Sequence, residues 1–248
     1  MLKRRDLANG LLLPSVALML AAGLSAQGQP DREVAKQEER QVVAEARFDV
    51  TNAPAQADLV SLVVDFPPGA WTSLHTHGGQ ALNLVLEGEI TLRQRGADRP
   101  HTAGQAWSDT SGQVHSAGNT GTGRARLLTN FLLPKDAPQI TVIEETQLGP
   151  GVTSEARFSL PSLAGDTEIL LQVVDLPPGW RAERATPGYA AVIVMEGEVT
   201  HATGAVAKSY RVGEAWSAPA DTVVTDRNPS ASRARIFATY LLPKGARL

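Results

Sequence analysis

Hydrophobic positions along this chain come in short runs closed by turn residues. Leu59-Val-Ser-Leu-Val-Val64 and Ile169-Leu-Leu-Gln-Val-Val174 each end in Asp-x-Pro-Pro-Gly. Aliphatic and β-branched runs of this length, cut off by proline and glycine, predict strands followed by tight turns. Ala81-Leu-Asn-Leu-Val-Leu86 and Ala190-Ala-Val-Ile-Val-Met195 lead into Glu-Gly, after which Ile90-Thr-Leu-Arg93 and Val199-Thr-His201 return as hairpin partners. Ile140-Thr-Val-Ile143, in the bridge between Asp136 and Ser154, predicts one extra strand in a compact join. The pattern is that of an all-β protein made of antiparallel sandwiches or barrels.

The elements repeat. Glu45-Ala-Arg-Phe48 returns as Glu155-Ala-Arg-Phe158, and Asp65-Phe-Pro-Pro-Gly69 as Asp175-Leu-Pro-Pro-Gly179. Leu86-Glu-Gly-Glu89 returns as Met195-Glu-Gly-Glu198, and Gly104-Gln-Ala-Trp-Ser108 as Gly213-Glu-Ala-Trp-Ser217. Arg124-Ala-Arg126 with Phe131-Leu-Leu-Pro-Lys135 returns as Arg233-Ala-Arg235 with Tyr240-Leu-Leu-Pro-Lys244. The offset is 110 at the start and 109 at the end, so the second copy lacks one residue between Pro-Pro-Gly and Glu-Gly-Glu. Ordered matches at a nearly constant offset mark a duplicated domain, here residues 45–144 and 145–248.

Composition narrows the chemistry. With no cysteine among 248 residues, disulfides, thiolate metal sites and cysteine nucleophiles are excluded. A net charge of −3 without a basic stripe argues against nucleic acid as a partner. Residues 1–26 read as an export signal: Lys3, Arg4 and Arg5, then the apolar Leu11 to Leu24, then Leu24-Ser25-Ala26 as a cleavage site. Arg4-Arg5 resembles a twin-arginine signal, although Ala8-Asn9 departs from it; an ordinary secretory signal is the alternative. The apolar part is short for a membrane span of ~20 residues, so no stable anchor is expected once it is cleaved. Export to a periplasmic or extracellular location follows. Residues 27–44 form a polar leader, read as a short helix or a flexible arm.

The sharpest chemical signal is His75-Thr-His77, with His115 further on. Histidines two apart on a strand face the same side. Three imidazoles converging inside a barrel suit a transition metal.

Around these residues the first copy resembles the cupin family. Its first motif is matched by Gly69, His75, His77 and Gly88, with Ala81 in the glutamate slot; its second is matched by Gly104, Gly112, His115 and Asn119, with Thr110 in the proline slot. The resemblance implies two tandem double-stranded β-helix (jelly-roll) barrels after the signal segment. It also implies one divalent transition metal (Mn, Fe, Ni, Cu, Co or Zn) on His75, His77 and His115. Ala81 cannot ligate. Gln80, reached through a bulge at Gly78-Gly79, Asn83 one pleat further along, or water remains to fill the fourth position. His101 and His201 read as exposed hairpin or loop residues. The second copy lacks the site: His75 aligns with Arg184 or Ala185, His77 with Thr186 or Pro187, and His115 with Val224.

Comparing the copies sorts the other candidates. Trp107 recurs as Trp216 and reads as packing, as does Trp71 if it matches Trp180. Glu87 and Glu89 recur as Glu196 and Glu198, so turn chemistry explains them. Asp109 becomes Ala218, which leaves it as a candidate for supporting a ligand or moving a proton. Three functions are then compatible. The first is a metal-dependent, dioxygenase-like oxidoreductase of the quercetinase-like kind acting on a small molecule. The second is a bicupin that binds a metal or small ligand without turnover, and the third a structural bicupin with vestigial histidines. Oxalate decarboxylase-like bicupins normally carry metal in both halves, so the empty second copy argues against that assignment. The two barrels are expected to pair within the chain; the sequence leaves a homodimer open.

Overall fold

The computed structural model describes residues 39–50, 53–163 and 166–248. The expected signal segment and the leader as far as residue 38 lie outside these residues. The first copy supplies β1 (Gln41–Val50), β2 (Ala57–Phe66), β3 (Leu74–Thr76), β4 (Gln80–Glu87), β5 (Glu89–Gln94), β6 (Ala97–Thr102), β7 (Ala106–Asp109), β8 (His115–Gly118) and β9 (Ala125–Pro134). The join supplies β10 (Thr141–Glu144), the extra strand that the Ile140–Ile143 run predicts. The second copy supplies β11 (Gly151–Ser159), β12 (Thr167–Leu176), β13 (Arg181–Arg184), β14 (Tyr189–Glu196), β15 (Glu198–Thr203), β16 (Val206–Arg211), β17 (Ala215–Ala218), β18 (Val224–Arg227) and β19 (Ala234–Pro243). Among the described residues there is no helix.

Each barrel is two facing sheets. The first has β11-β2-β9-β4-β7 against β10-β3-β8-β5-β6; the second has β1-β12-β19-β14-β17 against β13-β18-β15-β16. Strand pairing crosses the division between the repeats. β1, which carries Glu45-Ala-Arg-Phe48, lies on β12 of the second barrel, with Phe48 opposite Ile169. β11, which carries the second copy of that motif, lies on β2 of the first, with Phe158 opposite Leu59. The exchange is reciprocal, and it covers sheet edges that would otherwise present unpaired backbone. The motif's arginine secures it in both places, Arg47 on Glu168 at 3.3 Å and Arg157 on Asp58 at 2.8 Å. The last residues of the expected leader, 41–44, are therefore part of a strand.

Period-two alternation explains why β2, β4 and β9 are apolar almost throughout. Val60, Leu62, Val64 and Phe66 of β2 face the core of the first barrel, whereas Leu59 and Val63 face a core shared with the second. Leu82, Leu84 and Leu128 of the first copy meet Ile169, Leu171 and Phe237 of the second in that shared core. At ~1.5–3 kcal/mol for each fully buried aliphatic or Phe side chain, this layer is a main source of cohesion between the barrels. Thr239 hydroxyl donates to Asn130 across it at 3.3 Å. The two residues hold equivalent positions in the copies, so the contact marks the local two-fold relation.

The repeated polar residues are scaffold. Arg126 grips Asp65 through Nε and NH2 at 2.5 and 2.9 Å, and Arg235 grips Asp175 at 2.6 and 2.9 Å. Asn119 amide donates to the carbonyls of Phe66 and Gly123, as Asn228 does to those of Leu176 and Ser232. Glu87 and Glu196 pair with Arg124 and Arg233. Gly79 and Gly188 admit no side chain: a Cβ on either would stand 2.1 and 1.9 Å from the carbonyl oxygens of Leu132 and Leu241.

The hydrogen bonds and charge of Arg126 hold the Asp65 carboxyl below its usual range, so its stabilisation is complete above about pH 4 and disappears as pH falls further. Asp65→Asn is expected to lower unfolding free energy by about 1–3 kcal/mol at pH 7. In denaturant titrations the gap from wild type should narrow steadily as pH falls below about 4; a gap that stays constant would show that the charge pair does not carry it.

Candidate metal centre

β3 brings in His75, and His77 follows two residues later on the same side; β8 opens with His115, in register with His75. All three are buried, at 3–5% exposure. Their rings lie 4.5–4.9 Å apart, and their candidate ligand atoms all fall within 4.8 Å of one another. Each Nδ1 lies within hydrogen-bond distance of a backbone carbonyl: His75 to Ser73 at 2.6 Å, His77 to Gln139 at 2.9 Å, and His115 to Gln113 at 2.9 Å. A carbonyl can only accept, so Nδ1 carries the proton and Nε2 keeps its lone pair. His77 Nε2 and His115 Nε2 stand 3.3 Å apart with no proton to share. Burial pushes the His77 imidazole down to about 3 and lowers that of His75, so both are neutral near pH 7. Neutral rings with fixed tautomers and converging lone pairs fit a divalent cation.

Gln80 is not brought to this cluster. It lines a separate pocket with Gly78, Gly79 and Thr110. The bulge it would need does not form, because Gly78-Gly79 is pressed against the carbonyls of Pro138 and Leu132. Asn83 does reach the histidine cavity, but its oxygen accepts from Thr129 at 2.9 Å and its amide donates to Asp109 at 3.0 Å.

Asp109, a minor candidate on sequence alone, has the most bearing on the site after the histidines. It is 1% exposed, and its Oδ2 lies 3.6 Å from His115 Nε2. Trp107 Nε1 donates to the same oxygen at 3.0 Å, while Oδ1 is buried without a partner. Burial pushes this carboxyl up, against the pull of His115, Trp107 and Asn83. Trp107 also lines the cavity, so it does more than pack. Parity is the signal that points to both: 107 and 109 share a strand face, and Asp109 is lost where the histidines are lost. Trp71 does pack, its ring against Gly118 and under the Arg93 guanidinium at 4.2 Å. It does not match Trp180, however. Trp71 pairs with Gly118 as Arg181 pairs with Arg227, and His75 with His115 as Arg184 with Val224. The missing residue therefore falls between Thr72 and His75.

That register puts Arg184 at the position of His75. Its guanidinium binds Asp226 at 2.7 Å, and Asp226 also holds His201 Nδ1 at 2.7 Å. His201 is 8% exposed and stacked on Trp216, contrary to the exposed position expected of it. A polar ring in a hairpin is normally solvated, but a partner 25 residues away lets this one stay inside. His101, partly exposed, stacks on Trp107.

The histidines open on a cavity of about 110 Å³, lined also by Leu62, Val64, Phe66, Leu127 and Phe131, by Ile140 and Pro150 of the join and by Val152 of β11. It is smaller than the ~300–1,000 Å³ of drug-sized pockets.

Residues 62–131 match the sequence profile of the family described as "Cupin domain". Over 81 residues the chain is 33% identical to the HTH-type transcriptional regulator PuuR of Escherichia coli, a match spanning 32% of this chain and 44%, less than half, of that protein. Among solved structures, a single-residue variant of Bacillus subtilis oxalate decarboxylase superposes with TM-score 0.55 at 14% identity, over 83% of this chain and 75% of that one. AerE of Microcystis aeruginosa gives 0.52 at 13%, over 82% and 99%. Tomato vicilin gives 0.55 at 12%, over 75% of each. These structural likenesses speak to fold alone. The profile match places a cupin domain at residues 62–131, and the jelly-roll barrels of both copies have the fold of the cupin structures they superpose on.

Proposed function

We propose that this protein is an exported bicupin that holds one divalent transition metal on His75, His77 and His115 and uses it as a dioxygenase-like oxidoreductase on a small substrate. The observation that carries the reading is the convergence of three Nε2 lone pairs whose Nδ1 protons are committed to Ser73, Gln139 and Gln113. The metal, when bound, supplies Lewis-acid and one-electron chemistry. The chain's own residues do the rest. Phe131 packs on His77 at 4.6 Å and, with the aliphatic wall, keeps bulk water from the histidines. Trp107 and Asn83 hold the Asp109 carboxyl group beside His115 at the cavity wall. The size and apolar wall of the cavity favour a compact, largely apolar substrate over a flavonol. Mn(II), named for the centres of the similar B. subtilis oxalate decarboxylase, is the first metal to try.

A second reading is a barrel that binds ligand without turnover, favoured by the sequence match to a transcriptional regulator. Metal analysis of protein purified without added metal is expected to give about one divalent ion per chain, lost in His75→Ala and His115→Ala; full retention by both variants would remove the assignment. Oxygen uptake is expected with small diketones or thiols and not with flavonols, and no uptake on any small substrate turns the choice to the binding reading. For export, Arg4→Lys with Arg5→Lys should leave the protein in the cytoplasm if the twin-arginine route is used, and fractionation that shows unchanged export would discard that route.

A further inference from the structure

The cupin pattern puts a glutamate at position 81, where this chain has Ala81. Directly opposite Ala81, in register across the β4–β7 ladder, stands Asp109. Residues paired in register share a sheet face. Both belong to the barrel interior: Ala81 is in its core, and Asp109 lines the cavity with the three histidines. We propose that Asp109 is the fourth donor of the metal centre, its carboxylate supplied from the strand next to the one that carries the family's glutamate. The proposal rests on the reading of His75, His77 and His115 as metal ligands.

Three observations support it. The first is the contact between Asp109 Oδ2 and His115 Nε2 at 3.6 Å. The ring proton of His115 is committed to Gln113, so Nε2 and the carboxylate meet as two acceptors, as His77 and His115 do at 3.3 Å. Metal–ligand bonds of ~2.1 Å place neighbouring donors of one shell ~3.0–3.4 Å apart, close to both separations. The second is the state of the carboxylate. Oδ2 is oriented by Trp107 and by Asn83, which Thr129 fixes in turn, while Oδ1 is buried and accepts from nothing. A buried acceptor without a donor is costly, and a cation in the cavity would relieve it. The third comes from the second copy, where Trp216 is kept but Ala218 replaces the aspartate in the barrel that has also lost the histidines. The tryptophan belongs to the scaffold; the aspartate goes with the ligands.

The test is titration of metal-free protein with Co2+, followed by calorimetry and by the visible d–d bands, which report the donor set without any turnover. Asp109→Ala is expected to weaken Co2+ binding on the order of 100-fold and to shift the bands. Asp109→Asn, which keeps the shape and the Trp107 contact, should move both in the same direction, and it decides the matter if circular dichroism shows the alanine variant unfolded. Asp109→Ala combined with Ala81→Glu, which returns the carboxylate to the family position, should recover most of the affinity. Wild-type affinity and bands in Asp109→Asn, or weaker binding with unchanged bands, would overturn the ligand role and leave the three-histidine reading standing. Wild-type protein that binds no Co2+ overturns both.

Discussion

Two-sided burial of β2, β4 and β9 is the constraint on which the other features depend. Because side chains alternate, one set of positions on these strands faces the barrel interior and the other faces the neighbouring barrel. Asn83, Thr129 and Phe131 reach the histidine cavity from the same strands whose Leu82, Leu84 and Leu128 fill the shared core. A slip of one residue would carry apolar side chains into the site and polar ones into the interface at once. The large apolar layer between the barrels therefore also sets the geometry of a few polar groups about the histidines.

The two barrels solve the same electrostatic problem in different ways. The first leaves lone pairs facing one another in a buried cluster, an arrangement that suits a cation. The second places Arg184 where the first has His75 and neutralises it with Asp226, so its positive charge is covalently part of the chain. His201 and Trp216 complete the filling of that interior. Removing either Arg184 or Asp226 alone would leave the other charge without this partner in a largely buried setting, which costs more than the pair itself.

Much of this was legible in the sequence, and the parts that were not have physical reasons. Strands such as Leu59–Val64 stood out because aliphatic runs ended in Pro-Pro-Gly, and the His75/His77 pair because parity alone puts both rings on one side. The exchange of β1 and β11 was hidden: both carry Glu-Ala-Arg-Phe, so either could pair with β2 or β12, and only the packing of the whole molecule decides. Gln80 misled because closeness in sequence suggested a bulge, while Gly79 is needed to let two backbones touch. His201 misled because its partner, Asp226, lies on a different strand. Asp109 was visible only as a difference between the copies; its place opposite Ala81 is a matter of register, which no single strand reveals.

The reciprocal strand exchange also sets the order of events in folding. β1 precedes its partner β12 by more than a hundred residues, and the first barrel takes β11 from the second copy, so each barrel completes its sheet with a strand distant in the chain. Such long-range closure slows folding and makes it cooperative, with the two halves gaining their final edges together.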